Sequence, residues 1–154
     1  MQQLNLPSGS FKITKTHDRY KIFDVIRHKY VSLTPEEWVR QHMVHYLIHH
    51  KHYPAGLTAV EHLVRINQLR QRADVVMYDR NRQPLLIVEC KAPSVAITSG
   101  VFEQALRYNM VLGVRVVVVS NGMTHLAAKL DGKGGFELMD HIPNYPELVG
   151  HAME

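Results

Sequence analysis

One segment of the sequence constrains the fold more than any other, because residues 114–119 are all valine apart from Arg115. β-Branched side chains favour extended backbone, and a continuous apolar run without polar alternation is typical of a strand covered on both faces. The segment therefore predicts a strand inside a sheet, with other elements packed on both sides of it.

Two helices are predicted around a group of strands. The first begins at residues 34–37 (Thr-Pro-Glu-Glu), where threonine can cap the helix, proline suits the first helical position and Glu37 stands where a capping box needs it. It should end near His50. The second spans 98–112 and ends at Gly113. Its apolar side chains form one stripe, Val101, Ala105, Tyr108 and Leu112.

Apolar segments bounded by polar turns predict the strands. Three of them lie between the helices, at 60–66, 73–78 and 85–89, and the short polar stretches that separate them suggest antiparallel hairpins. The other segments are an N-terminal β-hairpin (11–16 and 20–26), a strand after the Asn-Gly turn (124–130), and a strand or short helix at 136–142. The order helix, three strands, helix, strand predicts an α/β sandwich built on a mixed sheet flanked by helices.

The bulk properties of the chain indicate one compact domain. Its 154 residues are not divided by a repeat, a low-complexity tract or a linker, so we expect an N-terminal extension (1–32) attached to a main part (33–154). No apolar run reaches about 18 residues, and the N-terminus lacks the apolar stretch of a signal peptide. The single cysteine, Cys90, cannot form an internal disulfide. These features predict a cytoplasmic protein with no membrane contact.

The charge of the chain is compatible with a nucleic-acid partner without requiring one. The formal net charge is +4, and there are 11 histidines. Five histidines cluster near the end of the first helix, at His42, His45, His49, His50 and His52. The first three share one side of the helix, but no carboxylate or cysteine completes a metal-ligand set at short spacing. We interpret the cluster as a solvated, basic helix face.

Charged residues at the end of an apolar run are the candidates for a functional site. Glu89 and Lys91 follow the apolar residues 85–88 and point to the same side of the strand, because side chains alternate. A turn centred near Asn81 places position 74 opposite about position 88, so that Asp74 falls near Glu89. Burying these charges is unfavourable unless they meet partners. A hairpin therefore brings two carboxylates and an amine together.

Two carboxylates held close form a site for a hard divalent cation that prefers oxygen ligands. We expect Mg²⁺, with Mn²⁺ as a substitute, at Asp74 and Glu89, and the backbone carbonyl of Cys90 as a further ligand. Lys91 would lie beside the metal and orient the attacking water or stabilise charge on a reacting phosphate. The alternative interpretation is a structural salt bridge at a strand end, with Asp74 capping a turn.

Five short motifs follow one another along the chain: Glu36–Arg40, Arg72–Asp74, Ile87–Pro93, Gln104–Asn109 and Ser120–Gly122. Together they make the stretch from about 33 to 130 resemble the N-terminal endonuclease domain of type I restriction enzyme R subunits, a branch of the PD-(D/E)xK nucleases. The resemblance implies a restriction-endonuclease-like core. It also implies that Asp74, Glu89 and Lys91 are the metal-binding and catalytic groups.

The resemblance implies further site residues on both helices. A Gln-x-x-x-Tyr motif matches Gln104 and Tyr108, which a helix places on one face; otherwise Tyr108 is a core aromatic and Gln104 a solvated side chain. A glutamate of the first helix should face the site. Glu36 is favoured, because it lies amid the inward stripe of apolar residues, whereas Glu37 lies to the side of that stripe and has a role in the capping box. Glu61, at the start of the first strand, is a third candidate or an ordinary edge charge.

The expected function is that of a magnesium-dependent DNA endonuclease. Type I R subunits are motor proteins, but this chain has no Gly-x-x-x-x-Gly-Lys phosphate loop. We therefore expect either a free-standing relative or a domain that depends on a motor or specificity subunit in trans. One active site cuts one strand, so double-strand cleavage would imply a homodimer. The alternative function is a catalytically inactive module that binds nucleic acid or serves protein contact in a restriction or defence complex.

Overall fold

The computed structural model describes residues 1–150 of the chain. Over this range the elements are β1 (Ile13–Thr16), β2 (Arg19–Asp24), β3 (Lys29–Ser32), α1 (Pro35–His50), a 3₁₀ turn (Ala55–Leu57), β4 (Thr58–Ile66), β5 (Leu69–Tyr78), β6 (Pro84–Cys90), α2 (Ser99–Met110), β7 (Val116–Ser120), β8 (His125–Leu130), β9 (Phe136–Met139) and α3 (Tyr145–Val149).

A six-stranded mixed sheet forms the centre of the molecule, with strand order β4-β5-β6-β7-β8-β9. Neighbouring strands are antiparallel except β6 and β7, which are parallel and are joined by α2. A parallel pair needs such a crossover, because a short turn can only reverse the chain. The predicted α/β architecture on a mixed sheet is confirmed.

The two helices cover opposite faces of this sheet. On one face, Val39, Met43 and Leu47 of α1 pack with apolar side chains of β5 and β6, among them Val75 and Val88. On the other face, Phe102, Ala105 and Leu106 of α2 pack with side chains of β7 and β8. All five residues of β7 are buried, as the valine segment predicts.

A predicted helix start agrees with the structure where a local capping interaction fixes it. The Thr34 hydroxyl accepts a hydrogen bond from the Glu37 backbone N–H at 3.0 Å, so α1 starts where its capping residue predicts. The capping box is only half formed, because the Glu37 side chain turns to Arg27, Arg40 and Gln41 instead. Within 136–142 the chain forms a strand, β9 (Phe136–Met139), rather than a helix.

Three elements differ from the prediction. The N-terminal hairpin is completed to a three-stranded antiparallel sheet by β3, whose four residues are mostly exposed and show no apolar alternation. β5 begins at Leu69 rather than at residue 73, because a two-residue turn at Asn67 and Gln68 lets the polar residues before Ala73 continue the ladder. The helix α3 was not predicted, although Asn144 and Glu147 form a complete capping box at its start.

The histidine cluster is not a solvated face throughout. His42 is buried, and its Nδ1 lies 2.8 Å from the Trp38 carbonyl oxygen, while burial lowers the pKa of its imidazole. His49 and His50 are exposed, as predicted. Among the described residues, no group of three or more histidine, cysteine, aspartate or glutamate side chains is arranged to hold a metal ion.

The N-terminal segment packs against the main part of the chain. Leu4 is buried in the core beneath α1, and the Asn5 backbone N–H donates to the Gly122 carbonyl at 2.8 Å. The division of the chain at residue 32 stays a prediction. None of the helices in the described range is long and apolar enough to cross a membrane.

Candidate active site

Backbone pairing between β5 and β6 stops at the position of the predicted acidic pair, and this point is the open end of the ladder. Its last paired residues at this end are Val75 and Val88, so the register places Asp74 level with Glu89, one residue from the predicted position. Beyond Val75, Asp74 Oδ2 accepts a hydrogen bond from the Cys90 backbone N–H at 2.7 Å. A side-chain carboxylate thus takes the place of a backbone acceptor, and it is held at the point where the two strands part.

The second oxygen of Asp74 faces an arginine of α1. Asp74 Oδ1 lies 3.7 Å from Arg40 Nη1, and this nitrogen is buried with no hydrogen-bond partner. The same guanidinium binds Glu37 through Nε at 3.0 Å and through Nη2 at 3.1 Å. Because 25% of the Asp74 side chain remains exposed, the carboxylate is fixed from the α1 side and still accessible from solvent.

Three carboxylates share one electrostatic environment at this opening. Burial raises the pKa of Glu89, Lys91 opposes that rise, and the negative charges of Asp74 and Glu36 add to it. Burial, followed by the charge of Asp74, likewise raises the pKa of Glu36, against the effects of Arg40 and Lys91. Glu36, Asp74 and Lys91 therefore lie close enough to Glu89 for their charges to act on its carboxyl group.

The structure separates the three candidate glutamates, for a reason other than the predicted one. Glu37 lies on the buried side of α1 and is neutralised by Arg27 and Arg40, whereas Glu36 is exposed and lies off the inward stripe. Glu36 nevertheless lies near the acidic pair, since the charges of Asp74 and Lys91 both act on its carboxyl group and affect its pKa. Glu61 lies within β4 and its carboxylate binds Arg27 Nη1 at 2.6 Å.

Cys90 and Lys91 are positioned by the strands on either side of β6. The Cys90 side chain is buried, which raises the pKa of its thiol well above the usual value. Its backbone N–H points to Asp74, and the carbonyl of a strand residue points to the same side as its N–H. The Lys91 backbone N–H donates to the Ser120 carbonyl of β7 at 2.8 Å, which anchors the lysine at the sheet edge.

The two predicted residues of α2 lie in different surroundings. Tyr108 is 46% exposed and does not belong to the buried side of α2, which carries Phe102, Ala105, Leu106 and Asn109; Ala105 and Leu112 of the predicted stripe are buried. Together with Asp74 and Glu89, Tyr108 lines a small pocket of about 50 Å³. Gln104 is exposed one turn earlier on the helix and does not line this pocket.

Comparison with known proteins shows where this fold and site belong. Residues 35–143 match the model of the family described as "Type I restriction enzyme R protein N terminus (HSDR_N)". The chain belongs to this family. No curated protein matches the chain significantly.

A solved structure shares the fold of this family member. It is a fragment described as an HsdR subunit of a type I restriction enzyme from Vibrio vulnificus YJ016, with a TM-score of 0.53 at 20% sequence identity. The match covers 76% of this chain and 25% of that chain, so the R-protein N-terminal region described here spans about a quarter of its structural relative.

Two residues of this R-protein N-terminal region lie at the site although the sequence motifs predict no role for them. Arg40 and Arg72 occur in the motifs quoted above, but no role was predicted for either. Arg40 stands four residues after Glu36, a helical spacing that could have shown that it faces the same end of the sheet. Arg72 lies two residues before Asp74 and lines the small pocket.

Proposed function

We propose that this R-protein N-terminal domain is a metal-dependent endonuclease that hydrolyses phosphodiester bonds of DNA. The observation that carries the proposal is the convergence of Asp74, Glu89 and Lys91 at the point where β5 and β6 part. The negative charges of Asp74 and Glu36 add to the raised pKa of Glu89. A carboxylate held against such repulsion is unfavourable without a further positive charge, which favours a binding site over a structural salt bridge.

The residues at the opening fit Mg²⁺, with Mn²⁺ as a substitute. Mg²⁺ is usually held by one or two carboxylates, and waters and substrate phosphates complete its coordination. Asp74, Glu89 and the Cys90 carbonyl supply such a set, and Glu36 would be a more distant member. When bound, the ion would polarise the phosphodiester and lower the pKa of a coordinated water.

The side chains of the chain itself would position the substrate. Lys91 would place a compact positive charge beside the reacting phosphate, where charge develops in the transition state. Tyr108, which is partly exposed and lines the pocket, and Gln104 one turn away would contact the nucleic acid. Arg40 would keep Asp74 in place from the α1 side.

We further propose that the domain acts on DNA together with other subunits. The family is that of R-protein N-termini, and the structural relative is about four times as long as the matched region. A motor or specificity subunit supplied in trans would then bring DNA to the site.

A cleavage assay with Lys91→Ala tests the proposed function. The variant removes a charge near the reacting phosphate and no oxygen ligand, so we expect cleavage to fall about 100- to 1000-fold while Mg²⁺ affinity is retained or raised. Supercoiled plasmid and single-stranded DNA would be incubated with Mg²⁺ or Mn²⁺, and metal binding would be measured by calorimetry. Lys133→Ala, which removes an exposed lysine between β8 and β9, is the matched control.

Two results would contradict the proposal. Equal cleavage by the wild type and Lys91→Ala would remove the lysine from the chemistry. A wild type that binds no metal and stays inert on both substrates with both metals, also when a motor subunit is added, would instead indicate a module for binding nucleic acid or protein.

A further inference from the structure

We infer that one face of the β4–β5 hairpin binds the phosphate backbone of nucleic acid and guides it to the open end of the ladder. This arginine face consists of Arg65, Arg70 and Arg72, all of which are exposed. The identity of the partner as DNA rests on the proposed function, whereas the surface itself follows from strand register and charge.

The register of the hairpin places the three guanidinium groups on the same face. Arg65 of β4 is directly opposite Arg70 of β5, and Leu63 is directly opposite Arg72. Residues directly opposite one another, and residues two apart on one strand, share a face of the sheet. The other face of the hairpin carries Val64, which is fully buried against the core under α2. The arginine face is therefore not needed for packing.

The charge on this face is not compensated within the chain. Residues 62–73 contain three arginines and no acidic residue. The ion pairs formed within residues 1–150 involve other side chains. Because like charges directly opposite on paired strands destabilise the pair, Arg65 and Arg70 weaken the hairpin that carries them. A polyanion bound to this face would relieve the repulsion between the arginines. Guanidinium groups suit this role because they form bidentate hydrogen bonds with phosphate.

The arginine face leads directly to the proposed active site. A strand advances about 3.4 Å per residue, so Arg70 and Asp74 are separated by roughly 14 Å, about four base-pair steps of a duplex. Arg72, between them, lines the same small pocket as Asp74, Glu89 and Tyr108. Arg65 also lines an open cleft of about 680 Å³ that follows β4 back to Thr58 and includes Arg82 of the β5–β6 turn. Positive charge thus lies on the hairpin and along this cleft, on either side of the level of Asp74.

DNA binding by a double variant tests this inference. Arg65→Gln/Arg70→Gln would be compared with Lys129→Gln/Lys133→Gln, which also removes two exposed positive charges but at β8 and the turn after it. Affinity for a fluorescein-labelled duplex of about 20 base pairs would be measured by anisotropy between 50 and 200 mM salt, with metal chelated. Chelation prevents cleavage, so the assay reports on binding alone.

We expect the hairpin variant to bind about tenfold more weakly at low salt. The slope of log affinity against log salt should be smaller by about 1.8, since each lost phosphate contact removes about 0.9. The lysine variant should match the wild type in both quantities. The hairpin variant should also resist urea at least as well as the wild type, because the arginine repulsion is gone.

The outcomes distinguish this inference from the proposed function. If the wild type binds DNA and the hairpin variant has an unchanged affinity and salt slope, the inference is overturned while the nuclease proposal stands. If the hairpin variant loses affinity but the wild type cuts no DNA when metal is restored and a motor subunit is added, the arginine face stands and the nuclease proposal fails. A wild type that binds no DNA overturns the arginine face alone, because the proposed function lets another subunit bring DNA to the site.

Discussion

At the scale of single residues, Asp74 and Glu89 have opposite effects on the stability of the fold. Asp74 accepts a hydrogen bond from a buried backbone N–H and lies beside Arg40, so its negative charge is stabilised. Glu89 has a raised pKa, first because it is buried and then because Asp74 and Glu36 repel its charge. The Asp74 carboxylate therefore stabilises the fold, whereas the Glu89 carboxylate destabilises it.

The stabilities of two variants should differ in sign. Asp74→Ala leaves the Cys90 N–H without its partner, so we expect the free energy of unfolding to fall by about 1–3 kcal/mol. Glu89→Gln removes a charge that the folded state disfavours and should raise the free energy of unfolding at neutral pH. Both would be measured by urea denaturation.

The pH dependence gives the same prediction a second readout. Since the pKa of Glu89 is raised above 4.5, the folded protein holds more protons than the unfolded one between that value and the raised pKa. The free energy of unfolding therefore falls as the pH rises through that window, because Glu89 must ionise in the folded protein. Glu89→Gln should lose this dependence, and Glu137→Gln, an exposed glutamate on β9, should keep it. A Glu89→Gln protein no more stable than the wild type at pH 7 would contradict the assignment.

At the scale of elements, a network of charges connects the N-terminal sheet to α1 and β4. Arg27, in the turn between β2 and β3, donates to Asp24 at 2.6 Å, to Glu37 at 2.9 Å and to Glu61 at 2.6 Å. Glu37 in turn binds Arg40, which faces Asp74. The three-stranded sheet is thereby linked through α1 to the candidate site, although it contributes no residue to it.

Arg27→Ala should destabilise the whole fold. Asp24, which is 1% exposed, would lose its cation, and Glu37 would retain only Arg40 and Gln41. Breaking a buried pair by removing one partner typically reduces the free energy of unfolding by about 3–5 kcal/mol. Urea denaturation would be compared with Arg19→Ala, which removes an exposed arginine from the same sheet. Equal midpoints for the two variants would mean that the network does not connect the elements energetically.

At the scale of the whole molecule, one copy of the chain carries one opening of the ladder and would cut one DNA strand at a time. We expect supercoiled plasmid to become an open circle before linear molecules accumulate. The rate at which linear DNA forms should rise steeply with protein concentration, because a second copy must meet the nick. A time course at several concentrations measures this. Linear product formed from the start, at a rate proportional to protein, would indicate a preassembled homodimer.

The predictable part of the fold depends on interactions within short stretches of chain. The start of α1 follows from one capping threonine, and the buried strand β7 follows from its valines. The proximity of Asp74 to Glu89 was predictable because a short turn sets the register of a hairpin. The short strand β3 was missed, since its four mostly exposed residues have no apolar pattern to reveal them.

The sequence alone determined which strands pair locally and which charges end them, because alternation, capping and turn length act over a few residues. Only the tertiary structure decided that Glu36 rather than Glu37 faces the acidic pair, since that depends on how α1 lies across a sheet formed later in the chain. The same holds for the exposure of Tyr108 and for the contact of Arg40 with Asp74. Their partners are distant in sequence, and packing alone brings them together.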